Sequence, residues 1–189
     1  MNRLKAALLS IRLLAVFCLI VFALGIGFGL VSYGLVKDQM VPIIKEAFGG
    51  VIVEGSDFKT IMNIFVRNVW ASATLMVLGV LIVPTLLILF VNGFIVGIVG
   101  DYSLDKGISL VKLLMGILPH GIFEVPAILL SAAVGLKVGL NAIFPKGKSR
   151  VMAVAEGVRD ATSVYLLVIL PLILVAAFIE VLISKRLVS

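Results

Sequence analysis

Apolar residues fill four long runs of this chain, and most of the charged residues fall between them. The first run, Leu13 to Val36, is long enough to cross the roughly 30 Å of bilayer hydrocarbon as one helix, which takes about 20 residues. Val69 to Gly100 then carries no charge for 32 residues. As one helix it would reach about 48 Å at 1.5 Å per residue, too long for one crossing, while two full crossings need about 40 residues. Gly79 and Pro84 offer a break near its middle and Asn92-Gly93 a second. The run therefore reads as a broken helix, or as one span followed by a half-helix. The third run, Leu110 to Leu136, holds Gly116, Pro119, Gly121, Pro126 and Gly135. Proline removes a backbone donor and clashes with the preceding turn. This segment is expected to kink or re-enter the membrane, with its loosened backbone turned toward protein rather than lipid. The last run, Ala161 to Ser184, ends in Lys185-Arg186.

The connections are polar. In residues 37–67, Lys37, Lys45, Lys59 and Arg67 are balanced by Asp38, Glu46, Glu54 and Asp57. Ser56 or Asp57 can cap a helix there. Phe58, Ile61, Met62 and Phe65 then follow at i, i+3, i+4 and i+7, a single apolar stripe. An amphipathic helix lying in the interface is expected. Residues 137–160 make a basic connection, with Lys146, Lys148 and Arg150 clustered after Pro145 and Ser149 placed to start a short helix. The predicted fold is an all-α polytopic membrane helix bundle, one unit over residues 1–189. It has about 4–5 membrane segments, at least one of them broken or re-entrant.

Composition agrees with the pattern. The chain is 62% hydrophobic with mean hydropathy +1.27, against about 45–50% apolar residues in soluble domains. Its partner is the lipid bilayer. The formal charge of +6 does not indicate nucleic acid, because the basic residues lie between apolar runs and form no basic face. Cys18 stands alone and forms neither an intrachain disulfide nor a metal site. Arg3, Lys5 and Arg12 before an apolar stretch resemble a signal peptide, but the stretch is long enough to span and lacks a clean small-x-small cleavage site. Basic residues per connection bear on orientation. Four spans put seven inside and nine outside, five spans give eight and eight, and a re-entrant hairpin over Leu110–Leu136 gives ten and six. The hairpin satisfies the rule best, with the Lys146–Arg150 cluster cytoplasmic.

Glycines in the first span include Gly25 and Gly29, four residues apart, a spacing that lets a second helix approach closely. The site candidates lie in the third run. His120, the only histidine, and Glu124 are four residues apart and share a face on a regular helix. A charged side chain at this depth costs roughly 2.5–3.5 kcal/mol on insertion scales, so it is paired, hydrated or buried against protein. The pair is able to share a hydrogen bond or a proton, or to pin loosened backbone. The remainder of a zinc site is missing, so no metal and no cofactor are expected. Asn68 and Asn92 are further intramembrane polar candidates, with Asp101 solvated or capping at the end of its run. Amides at this depth usually bond helix to helix. Ser72, Thr74 and Thr85 are expected to bond back to their own helices. No nucleophile arrangement points to an enzyme.

The order of these features resembles the stage II sporulation protein M family. The shared elements are Phe65-Val66-Arg67-Asn68, Asn92-Gly93-Phe94-Ile95-Val96-Gly97, and Leu118-Pro119-His120-Gly121-Ile122-Phe123-Glu124-Val125-Pro126-Ala127 followed by Gly135 and Gly139. Together they cover roughly Phe58 to Gly139. The resemblance implies an integral membrane protein of bacteria or archaea. Sporulating bacterial members are scaffolds that assemble with two cell-wall-degrading partners during engulfment, and many members occur in organisms that do not sporulate. The resulting expectation is a scaffold in the plasma membrane that organises a complex, self-associates through Gly25 and Gly29, and takes membrane or cell-envelope proteins as partners. The alternative is a small transporter or permease-like subunit built on the His120 and Glu124 site, since broken helices near the midplane build many ion sites.

Overall fold

The computed structural model describes residues 3–48, 56–145 and 147–188; the side chains of 44, 45, 47, 48, 112–120 and 183–188 lie outside that description. Among the described residues six α-helices follow one another: α1 (Arg3–Phe48), α2 (Asp57–Leu78), α3 (Val83–Asp105), α4 (Leu110–Ile143), α5 (Arg150–Val164) and α6 (Leu170–Val188). A 3₁₀ turn, Gly79–Leu81, joins α2 to α3, and a π-turn, Tyr165–Ile169, runs α5 into α6 as one rod. No strand is present among the described residues. Among the described residues five segments are long and apolar enough to cross a membrane: Arg3–Ile43, Asp57–Leu81, Val83–Asp105, Gly121–Ile143 and Arg150–Leu182. The chain is an integral membrane protein of the all-α polytopic class.

Helix α4 is the axis of the bundle and touches each of the other five helices. Its middle reads Ala127-Ile128-Leu129-Leu130-Ser131-Ala132-Ala133-Val134-Gly135-Leu136, and nearly every residue there is buried. A helix apolar on all sides belongs at the centre of a bundle, and its small residues let neighbours close in. Around it, α1 and α3 run parallel in direct contact, with Gly25 and Gly29 against α3, and Gly93 and Gly97 against α1. A Cβ on Gly93 would lie 2.1 Å from the Phe22 carbonyl oxygen, and one on Gly97 2.3 Å from that of Ile26. The two backbones touch because all four positions lack a side chain. The glycine face expected to receive another copy is thus filled by α3 of the same chain.

The break between α2 and α3 falls where Gly79 and Pro84 place it. A Cβ on Gly79 would come within 2.3 Å of the Gly135 backbone, so α2 ends pressed onto α4. Ile82 takes φ 46°, ψ −70°, a conformation rare for a β-branched residue, and Pro84 sits in the first turn of α3, where its missing N–H costs nothing.

Three expectations are corrected. Gly93 breaks nothing: α3 is uninterrupted, and Asn92 bonds back to the Ile88 carbonyl at 2.8 Å. The backbone of α4 is likewise helical through Pro119, Gly121 and Pro126, so there is no re-entrant hairpin. A membrane helix tolerates proline when surrounding helices hold it, and α4 has neighbours along its whole buried length. Finally, the connections are short. Residues 37–48 belong to α1 and residues 57–67 to α2, whose N-cap Ser56 accepts from the Lys59 N–H at 3.4 Å. Phe58, Ile61, Met62 and Phe65 therefore begin a spanning helix instead of a separate interfacial one. Lys45 and Glu54 lie outside the described side chains. The basic connection of residues 137–160 contracts to 144–149, with Ser149 capping α5 at 3.3 Å from the Met152 N–H. Five crossings divide the basic residues eight and eight, so the ten-to-six division of the hairpin is lost with it.

Candidate functional site: an intramembrane polar cluster

Two sets of contacts mark the ends of the bundle. At the face carrying the N-terminus, Asp160 of α5 accepts from Arg3 of α1 at 3.3 Å and from Lys137 of α4 at 3.0 Å, and Lys137 also reaches the Ser10 hydroxyl at 2.7 Å. At the opposite face, the Tyr33 hydroxyl donates to Asp105 at 3.1 Å. From Ser10 to Tyr33, α1 rises about 35 Å, and from Lys137 back to Glu124, α4 rises about 20 Å, at 1.5 Å per residue. Glu124 therefore lies well inside the apolar layer.

At that depth its carboxylate accepts a hydrogen bond from the Asn68 amide at 3.0 Å, tying α4 to α2. One turn along α2, on the same face, Ser72 is fully buried. Its hydroxyl lies 3.0 Å from the Tyr165 hydroxyl, and both sit near the Val69 carbonyl, at 3.0 and 3.1 Å. The two hydroxyls have two hydrogens for three short contacts. Either both donate to Val69, or one donates to the other. Tyr165 opens the π-turn, in which the Leu170 N–H bonds to the Tyr165 carbonyl. Pro171 follows and has no N–H for the carbonyl one turn back, which gives a physical reason for the irregular turn at this place. The wider backbone step is a common feature of functional positions in helices.

Asn68 and Glu124 are thus brought together. Asn92 is not: it lies on α3 and bonds within its own helix. The side chain of His120 lies outside the described residues, although its backbone places it one turn from Glu124 on α4. Ser131, buried in α4, donates to its own Ala127 carbonyl at 2.7 Å. The Thr85 hydroxyl, buried at the start of α3, has no hydrogen-bond partner among the described residues. No group of three His, Cys, Asp or Glu side chains converges among the described residues. Chemically, the cluster holds helices in register and places one ionisable carboxyl at membrane depth, within reach of an amide.

Sequence reasoning passed over Tyr165, whose immediate neighbours Val164 and Leu166 are apolar. The signal lies on α2: Thr60, Ile64, Asn68 and Ser72 recur every four residues, and Thr60, Ile64 and Ser72 are buried. Of its polar members, Thr60 bonds back to the Ser56 carbonyl at 3.1 Å, whereas Asn68 and Ser72 reach partners on other helices. The Arg3–Asp160–Lys137 cluster was also hidden, because Lys137 and Asp160 read as members of one loop.

The succession of five apolar crossings, the Asn68–Glu124 pair and the glycine-lined α1–α3 contact stand within a region matched by a known family: stage II sporulation protein M matches residues 16–185. The chain belongs to the stage II sporulation protein M family. An uncharacterized protein of Methanocaldococcus jannaschii is 37% identical over 108 residues, covering 56% of this chain and 59% of that protein. The match thus spans about three-fifths of the archaeal relative. No solved structure matches the chain.

Proposed function

We propose that this family member is an assembly component of the plasma membrane, a scaffold that organises a membrane complex and carries no catalytic centre. The observation that carries the reading is the matching of polar groups between helices: Asn68 with Glu124, and Ser72 with Tyr165. Polar groups used this way fix helix positions at about 1 kcal/mol each, which suits a rigid platform. Self-association belongs to the reading as well. Since α3 fills the Gly25 and Gly29 face, contact with a second copy uses the outward side of α1. There a methyl added at Gly27 would meet nothing within 4 Å, and Ala23, Leu24 and Phe28 line a shallow groove.

The test is mild cross-linking in native membranes, followed by capture of wild type and Glu124→Gln for mass spectrometry. A reproducible membrane or cell-envelope partner retained by both supports the scaffold. A complex of the chain with itself alone, in both, refutes it. A second reading, a transporter-like subunit, is favoured by one observation: a carboxyl about 20 Å deep by helix rise, bonded to Asn68 one turn from the Ser72–Tyr165 contact that opens the π-turn. It requires Glu124→Gln to abolish flux in liposomes with unchanged melting; equal flux in variant and wild type sinks it.

A further inference from the structure

The five crossings divide the basic residues evenly and the acidic residues unevenly. The face carrying the N-terminus has eight basic residues, on α1 from Arg3 to Arg12 and from Lys137 to Arg159, against only Glu156 and Asp160. The remainder of the chain has eight basic and eight acidic residues. The formal +6 of the whole molecule is therefore the charge of one face. Pairing on that face leaves an excess of cations. Asp160 is shared by Arg3 and Lys137, and Glu156 by Lys148. Arg159 is exposed and pairs with no acid among the described residues.

This excess gathers at a groove. Arg3, Lys148, Met152, Ala155, Glu156 and Arg159 line an open depression of ≈ 550 Å³ between the first turn of α1 and the outer side of α5. Three cations, one carboxylate and the exposed apolar side chains of Met152 and Ala155 line it. The Lys148–Glu156 pair is half exposed, at 51% for each side chain. Such a pair contributes little and opens readily for a stronger anion. The groove also lies at a defined depth. Asp160, adjoining Arg159, joins Lys137 and Ser10 at the level where α4 and α1 enter the apolar layer.

We propose that this groove is a binding site for the phosphate-bearing headgroup of an anionic membrane lipid. Arg159, Lys148 and Arg3 surround the phosphate, Met152 and Ala155 flank the headgroup on the water side, and the acyl chains leave past Arg159 along the exposed Leu166 and Leu167 of the same rod. A basic pocket between helices at headgroup level is a lipid-recognition arrangement in general. Arg159 adjoins Asp160 at the level where α4 and α1 enter the apolar layer, so an anion held there borders the bilayer, which favours a lipid over an acidic peptide or a free anion.

The test is native mass spectrometry of the full chain in detergent, titrated with phosphatidylglycerol and, separately, phosphatidylcholine. Wild type should retain the anionic lipid preferentially. Removing two cations with Arg159→Gln and Lys148→Gln should weaken retention about 25-fold, at about fivefold per charge. Lys5→Gln with Arg12→Gln removes the same charge from exposed positions on the same face outside the groove, and should leave retention within about twofold. Equal weakening by both pairs would show a diffuse surface potential and overturn the site. Equal retention of the two lipids would overturn it too, as would displacement of lipid by excess inorganic phosphate, which marks a site for the free anion.

Discussion

Gly25 and Gly27 stand two residues apart on α1 and face opposite surroundings, so the same substitution should act with opposite sign. A methyl at Gly25 would lie 2.2 Å from the Phe90 carbonyl oxygen and 3.0 Å from the Phe94 nitrogen, both backbone atoms that cannot rotate away. Ordinary contact needs about 3.4 Å, so α1 and α3 must separate locally by about 1 Å. A gap of 0.5–1 Å forfeits roughly a quarter to a half of each dispersion contact along the seam. Overpacking of this kind costs about 1–3 kcal/mol. At Gly27 a methyl meets nothing within 4 Å, and Gly→Ala in a helix gains up to about 1 kcal/mol from propensity. With about 2–4 °C per kcal/mol for a chain of this size, Gly25→Ala should lower the melting temperature by about 2–12 °C. Gly27→Ala should leave it unchanged or raise it by up to about 4 °C. The assay is thermal unfolding in detergent, followed by tryptophan fluorescence from Trp70 and by size exclusion. Equal shifts for the two variants would refute the α1–α3 packing, and a larger loss at Gly27 would place α1 the other way round.

Further outcomes follow from the cluster and the topology. A double-mutant cycle of Asn68→Ala and Glu124→Gln should show a coupling of about 0.6 kcal/mol, up to about 1.7, in unfolding measurements; strict additivity would mean the two do not meet. Tyr165→Phe should destabilise by about 0.5–1.5 kcal/mol and Ser72→Ala by a similar amount. Because the two hydroxyls share the Val69 carbonyl, the double variant should lose less than the sum, and a full sum would argue against the triangle. In a Cys18→Ala background, Lys106→Cys and Lys148→Cys should label from opposite sides of sealed membranes. Labelling from the same side would restore the re-entrant hairpin and remove the fifth crossing.

How much of this was legible before folding differs from element to element. Class and membrane placement came from composition and run length alone, because no other structure hides a 62% hydrophobic chain from water while satisfying its backbone. The break at Gly79–Pro84 was equally local. It needs only a residue without an N–H and a residue without a side chain, and both are visible in the text of the chain. The caps Ser56 and Ser149 were legible for the same reason.

Pro119, Gly121 and Pro126 carried the same local signal and led elsewhere, because α4 lies at the centre of the bundle and packing on every side outweighs the loss of single backbone bonds. Only the tertiary structure decided that Gly25 and Gly29 meet Gly93 and Gly97 of the same chain. Spacing says that a helix can approach and cannot say which one. The meetings of Asn68 with Glu124 and Ser72 with Tyr165 belong to the same category. The sequence determined that these polar groups had to find partners, since the bilayer offers no water at that depth. Which partners they found depended on the rotation of α2 against α4 and α6, and that rotation is set by the sum of all side-chain contacts between them.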